Sequence, residues 1–391
     1  LGPLSPKALS EAFSPEPYDP EPKMRVYLVG GAVRDELLGG RPPDRDYVVI
    51  GATEKDFLQA YPGAKKVGRR DRCVYIHSGR EFTLSEQPDI WADLERRDLT
   101  INAAAKDEQG RILATERTQR DLESRVLRPV HPDNFRDDPL RCYRAARMAA
   151  CFPDFSLHPE LEGVLRDMAG SADLERIAAE RVCEELRKAC GCPAPGRFLY
   201  VLADHGLFIP WFPELAFLDG EQGGTGSDPA RLSPAAAADR LDSLRGDPLR
   251  VWMAMASLLD AAAPPASSET RNSRAAAMAR NMAERLRMPV AFIRAGEKAA
   301  AWIRAASRYS SLTPEARVDL LADLAAHNLN ERMLAAATVV SPDVDPEAWR
   351  NDWRRMDKVC LPPDKRGLGP ESGRILRRMR CNSLRRSRGP K

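Results

Sequence analysis

Two aspartates one residue apart, Asp44 and Asp46, lead into the apolar run YVVI of a 391-residue chain. Alternate residues of a strand point to one face, so both carboxylates can grip shared cations. Like charges placed this way repel unless cations bridge them. Two hard divalent ions held there can activate an attacking hydroxyl and steady a pyrophosphate leaving group. For a D-x-D alone, a solvated loop is the plain alternative. Upstream, Gly30-Gly31 lies between a predicted strand, RVYLV, and a predicted helix, AVRDELL. Glycines there let the backbone turn sharply and approach a phosphate. Arg34, one turn into that helix, can reach the same anion.

The stretch DLERRDLTINAAA holds a second polar knot: Asp93, Arg96, Arg97, Asp98, Thr100 and Asn102. Arg97 is suited to a triphosphate, and Asp98 could fix it by a charge-assisted bond. The alternative is a surface ion pair followed by a buried helix. Further on, Asp138, Arg141, Arg144 and Arg147 recur at three-residue steps. On a helix turning about 100° per residue they spread over half the circumference on adjacent turns. Arginines without paired acids call for an anion, which a nucleoside triphosphate supplies. Asp138 beside Arg141 offers an acceptor and a donor fork, enough to read the edge of a base. Glu81, on the predicted strand EFTLS, is the candidate third carboxylate.

The elements that must position these residues are of two kinds. From Met24 to about Pro129 short apolar runs alternate with helical ones, an α/β pattern in which DYVVI, CVYIH and EFTLS are further strands. From about Asp133 the pattern turns helical, with apolar residues three and four apart in DDPLRCYRAARMAACF, DLERIAAERVCEELRKAC and PGRFLYVLADHGLF. The expected division is a flexible leader over 1–23, a head over 24–130, a helical neck over 131–218, a linker over 219–234 and a helical body and tail over 235–391. The class is therefore α+β, a mixed domain followed by a long helical arm. Trp211 and Phe212 are expected to plug the helical core rather than stack on bases, and His77 and His205 to be core histidines.

Composition sets outer bounds. With 43% hydrophobic and 30% charged residues, a wholly disordered chain is excluded. No apolar run reaches the roughly 18 residues of a membrane helix, and the proline-rich start does not read as a signal peptide. Eight cysteines are too sparse for a disulfide scaffold and point to the reducing cytoplasm. Cys190 and Cys192 form a lone C-x-C, which falls short of a structural zinc site. The net charge of +3 says little, but from Arg374 to Lys391 eight basic residues occur without an acid. Such a tail either attracts a polyanion such as RNA or is a solvated terminus.

Taken in order, VYLVGGAVRDELLGGRPPDRDYVVIG, DLERRDLTINAAA and FRDDPLRCYRAARMAA resemble the successive motifs of the class II tRNA nucleotidyltransferases. That family comprises CCA-adding, CC-adding and A-adding enzymes and bacterial poly(A) polymerases. The resemblance runs from Arg25 to about Leu215. It implies a head of the DNA polymerase β type, then helical neck, body and tail, and attack of an RNA 3′ hydroxyl on an NTP α-phosphate without a nucleic-acid template. By position, Asp44 and Asp46 resemble the catalytic pair that holds two Mg²⁺. Gly30 and Gly31, with Arg34, Arg97, Arg144 and Arg147, resemble nucleotide-binding positions. Asp138 and Arg141 resemble the pair that hydrogen-bonds the incoming base. The implied partners are the tRNA 3′ end and CTP, with ATP as a further substrate. Oligomeric state is not implied.

Four departures qualify the resemblance. Asp137 stands where the family usually has Glu, which keeps the charge. In RILATERTQRDLESRVLR, Ala114, Thr115 and Thr118 replace an Asp-Pro and a Gly, which bears on the head's coupled motion. The link EQPDIWA is shorter than the loop of relatives that add the terminal adenosine, as in CC-adding enzymes. SLLDAAAPP lacks the H-D pair of some relatives, so phosphohydrolase activity is not expected. CC addition is thus the leading expectation, ahead of full CCA addition. Poly(A) or A addition, and an impaired enzyme that only binds RNA, are the alternatives.

Overall fold

The structure, a computed structural model, describes residues 24–42, 44–68, 73–218, 232–262 and 268–385. The expected leader, the linker stretch 219–231 and the last six residues of the basic tail lie outside them. The chain divides into two units. The first is the chain up to Ala145 together with Asp154–Met168; the second is Ala146–Pro153 together with the chain from Ala169.

The first unit is built on a seven-stranded sheet. Its strands are β1 (Arg25–Val29), β2 (Asp46–Ile50), β3 (Lys65–Val67), β4 (Val74–His77), β5 (Arg80–Leu84), β6 (Ala104–Lys106) and β7 (Ile112–Ala114), in the order β3-β4-β5-β2-β1-β6-β7. β2 and β5 run parallel; the other neighbours are antiparallel. Strand alternation sorts the apolar residues onto two faces. Tyr27, Val29, Val48 and Ile50 pack with Ile90 and Leu94 of the helix Ile90–Glu95. Val26 and Val49 face the other way, onto Phe57, Tyr75 and Phe82. Each such burial contributes about 1.5–3 kcal/mol, so the two-sided apolar pattern holds the sheet between helices.

Two connections matter for the site. The link between β5 and the helix Ile90–Glu95 is pinned at both ends. The Ser85 amide donates to Val49 O at 2.9 Å, and Asp89 caps the helix by accepting from the Ala92 amide at 2.9 Å. The altered segment after β7 is equally ordered. Thr115 caps the helix Glu116–Glu123 by accepting from the Thr118 amide at 3.1 Å, and Thr118 is wholly buried. Asp121, also buried, accepts from Thr100 Oγ1 at 2.7 Å and pairs with Arg128 at 3.1 Å.

The second unit is helical throughout its described residues, apart from short 3-10 turns. The stretch read as one helix, DLERIAAERVCEELRKAC, is two, Ala172–Glu175 and Ala179–Cys190. Between them Ile177 is buried and Ala178 is extended (φ −65°, ψ 131°). Gly196 lets the helix Pro195–Asp204 lie against Pro234–Asp242, since a Cβ there would sit 2.1 Å from Ala238 O. Trp211 and Phe212 are core residues, and Trp211 Nε1 donates to Leu174 O at 2.9 Å. Despite the sparse cysteines, Cys151 and Cys192 are joined as a disulfide. Burial pushes the free Cys190 thiol up to about 12. Among the described residues no helix is long and apolar enough to cross a membrane.

Candidate active site

The D-x-D sits at one end of the sheet. Asp46 is the first residue of β2, and Asp44 precedes the ladder in a bend, so strand alternation governs only one of the two. Both are exposed. Asp46 is in register with Glu81 on the parallel neighbour β5, so the two side chains share a face. On the other side Leu28 pairs with Tyr47, which sets Asp46 beside the Val29–Gly30 end of β1. Arg45, between the aspartates, lies 3.8 Å from Glu36. Among the described residues no ion pair or side-chain hydrogen bond occupies Asp44, Asp46 or Glu81. An exposed, oxygen-only donor set that no cation among the described residues neutralises fits a hard divalent ion that completes its shell with water and substrate oxygens. The described residues contain no ready-made group of three metal-binding side chains, so the fit is one of donor chemistry.

The glycine turn lies against an arginine. Gly30 adopts φ 67°, ψ −129° and donates its amide to Ala104 O at 3.0 Å. A Cβ at Gly30 would stand 2.8 Å from Arg97 Nη1. Arg34 is buried. It donates to Asn102 Oδ1 at 2.5 Å and, through Nε and Nη2, to Asp35 Oδ1 at 2.9 and 2.8 Å. Gly31 abuts Arg34, its would-be Cβ 3.3 Å from Nη2. The structure thus brings Gly30, Gly31, Arg34 and Arg97 together.

Asp98 does not hold Arg97. Asp93 does, accepting from Arg97 Nη2 at 2.8 Å while its other oxygen accepts from Ser85 Oγ at 3.0 Å. Asp98 instead reaches Arg144, 46 residues on. It accepts from Arg144 Nε at 2.8 Å, the Leu99 amide at 2.8 Å and Asn102 Nδ2 at 3.0 Å. Burial works to raise the Asp98 pKa. The Arg144 charge and the bonds from Asn102, Arg144 and Leu99 outweigh it and hold the carboxyl well below its usual range. Asn102, to which sequence reasoning gave no role, bridges Arg34 and Asp98. A chain of contacts therefore runs from Asp35 through Arg34, Asn102 and Asp98 to Arg144.

The four-residue series at Asp138 divides between the units. Arg141 Nη1 donates to Asn134 O at 3.0 Å, and the Asn134 side-chain amide donates to the carbonyls of Glu95 and Arg97, each at 2.8 Å. That clamp ties the start of the helix Leu140–Cys151 to the Arg97 turn. Asp138 is half-buried and accepts the Arg141 amide through its carbonyl at 3.0 Å. Arg147 belongs to the second unit, where its Nε donates to the buried Glu185 at 2.5 Å. The expectation that these arginines lack paired acids is thus corrected for two of the three: Asp98 pairs with Arg144 and Glu185 with Arg147, from far along the sequence. Part of the basic C-terminus lies within the described residues. Arg374 pairs with Glu371, Arg377 with Asp319 and Arg385 with Glu315.

Residues 154–218 match the family described as a probable RNA and SrmB-binding site of polymerase A. The whole fold is similar to solved CCA-adding enzymes. One, from Bacillus stearothermophilus in complex with CTP, is 22% identical, with 93% of this chain and 89% of that one covered at a TM-score of 0.63. A CCA-adding enzyme in complex with ATP is 19% identical, with 94% and 88% covered at 0.62. The Thermotoga maritima CCA-adding enzyme complexed with tRNA is 19% identical, with 92% and 87% covered at 0.58. At these identities the likeness establishes the fold: a mixed-sheet head followed by helices.

Proposed function

We propose that this chain is a tRNA 3′-end nucleotidyltransferase that adds C without a nucleic-acid template. The observation that carries the reading is the shared sheet end, where Asp46 is in register with Glu81 and lies beside the Gly30 turn that abuts Arg97. Asp44 and Asp46 would hold Mg²⁺, with Glu81 as a third oxygen donor. Bound there, the ion would lower the pKa of the RNA 3′ hydroxyl and neutralise charge on the leaving pyrophosphate. The chain's own groups do the positioning. The Gly30 turn, lacking a Cβ, lets the backbone lie against Arg97, the group that would bind phosphate, and Asp93 keeps the Arg97 fork oriented. Asp98 holds Arg144 while its own charge stays fixed at neutral pH. Asp138 and Arg141 present an acceptor and a donor to the base, with Arg141 steadied by Asn134.

The pinned link from Ser85 to Asp89, tied through Asp93 to Arg97, supports addition of C alone, because a short anchored segment resists the rearrangement needed to accept a different base. The family match naming polymerase A supports a second reading, poly(A) synthesis. The carboxylates left open to solvent weigh against an impaired enzyme that only binds RNA, since such a chain would have no use for uncompensated paired charges. The test is labelled CTP and, separately, ATP supplied to tRNA transcripts ending before CCA, after C and after CC, with products resolved at single-nucleotide length. Growth by two with CTP, and no A on the CC-ended tRNA, supports CC addition. Completion to CCA refutes the role given to the short link, and a long adenosine ladder establishes the poly(A) reading.

A further inference from the structure

The second unit contains a cavity of about 400 Å³ whose lining includes Arg240, Arg304, Arg308 and Asp260. Of these, Arg304 and Asp260 are already paired, Nη2 to Oδ2 at 3.1 Å. Arg240 and Arg308 are different: among the described residues neither makes an ion pair or a side-chain hydrogen bond. Arg240 is half-buried, and burial alone pushes its pKa down, with no acid to offset it. A guanidinium stays charged under such a push. A partly desolvated, unpaired cation is costly, and an anion that enters the cavity removes the cost.

The lining also selects among anions. Among the described lining residues three guanidiniums stand against one carboxylate, a balance of two positive charges that matches a phosphomonoester of about −2 at neutral pH. Guanidinium forks fit phosphate oxygens in pairs. Leu258, Ile303 and Val340 supply apolar wall, and the volume falls in the roughly 300–1,000 Å³ range of small-molecule pockets. A bare backbone phosphate of RNA would use the charge and leave the apolar wall unfilled.

We propose that this cavity is a binding site for a phosphorylated small molecule, its phosphate held by Arg240 and Arg308 and its organic part against the apolar wall. Asp260 keeps Arg304 oriented and caps the charge available to the ligand. None of these residues belongs to the proposed catalytic set, so the site is additional to the one that performs nucleotidyl transfer.

The experiment is isothermal titration calorimetry of the full chain with ribose 5-phosphate, orthophosphate and ribose. Ribose 5-phosphate is expected to bind more tightly than orthophosphate, and ribose not at all. Arg308→Gln, at an exposed position that tolerates the change, should weaken ribose 5-phosphate about tenfold, the scale of one charge-assisted contact. Asp260→Asn frees Arg304 and should strengthen it. Arg97→Gln, which removes a phosphate ligand from the first unit, should leave it unchanged. Equal binding by wild type and both Arg240→Gln and Arg308→Gln would overturn the proposal, as would no binding of either phosphate by wild type. A loss confined to tRNA gel shifts in Arg308→Gln would also overturn it and assign the cavity to RNA.

Discussion

Asp98→Asn keeps the volume of a buried side chain and deletes its charge. In the native protein that carboxylate accepts three hydrogen bonds, one from a guanidinium. Hydrogen bonds to a charged group are each worth about 1.5–3 kcal/mol net, and breaking a buried ion pair costs about 3–5 kcal/mol. The Arg144 side chain is 38% exposed, so water repairs part of that loss. The expected destabilisation at pH 7 is therefore about 2–3 kcal/mol. Its pH dependence has a definite sign. The folded-state pKa of Asp98 lies below the ordinary value of 3.8. Its stabilising contribution is thus complete above that value and is lost as pH falls through it toward the folded pKa. The amide that replaces the carboxylate does not titrate, so the gap between variant and wild type should be constant from pH 7 to about 5 and narrow below about 4. Because the chain has two units, the readout must be local: hydrogen exchange of the amides from Leu99 to Ala105 across a urea series. A difference under about 0.5 kcal/mol at pH 7, or a gap that widens on acidification, would refute the role given to Asp98.

Three further outcomes follow from the same geometry. Gly30→Ala forces a side chain into a conformation that costs about 1–3 kcal/mol and drives it against Arg97, so the melting temperature should fall and the KM for NTP should rise. Asp138→Ala should blur the choice between CTP and ATP more than it slows incorporation of the preferred nucleotide, measured as the ratio of the two kcat/KM values; unchanged selectivity would remove Asp138 as the base reader. Thr115→Ala removes a helix cap and should cost about 1 kcal/mol in urea unfolding of the first unit; no change would show that the cap is not used in solution.

Much of the first unit is legible in the sequence because its signals are local. RVYLV, DYVVI, CVYIH and EFTLS show the residue types and alternation of strands, and all but Cys73 and Ser85 at their ends lie in one. The Gly30 turn is legible for the same reason. What escapes depends on residues distant in sequence. Arg144 and Arg147 look unpaired because their acids, Asp98 and Glu185, lie 46 and 38 residues away. Arg377 looks free because Asp319 is 58 residues back, on the helix Pro314–Ala325. Cys151 and Cys192 are brought together only by the helices between them. Other features are within reach. Thr115 followed by a helical run is a cap signal, and it explains how the altered segment stays ordered without the Asp-Pro and Gly of relatives. The Asp46–Glu81 register cannot be read from spacing, because a parallel pair needs the intervening crossover to be placed first.

The central claim is that the sheet-end carboxylates perform nucleotidyl transfer to RNA. The direct measurement is incorporation of labelled CTP with Mg²⁺ into a tRNA transcript lacking CCA, by wild type and by Asp46→Asn, with RNA binding by gel shift on the same preparations. Short, discrete extension by wild type, none by the variant, and equal gel shifts are expected. Wild-type turnover by Asp46→Asn, or an inert wild type that still binds the tRNA, would contradict the claim.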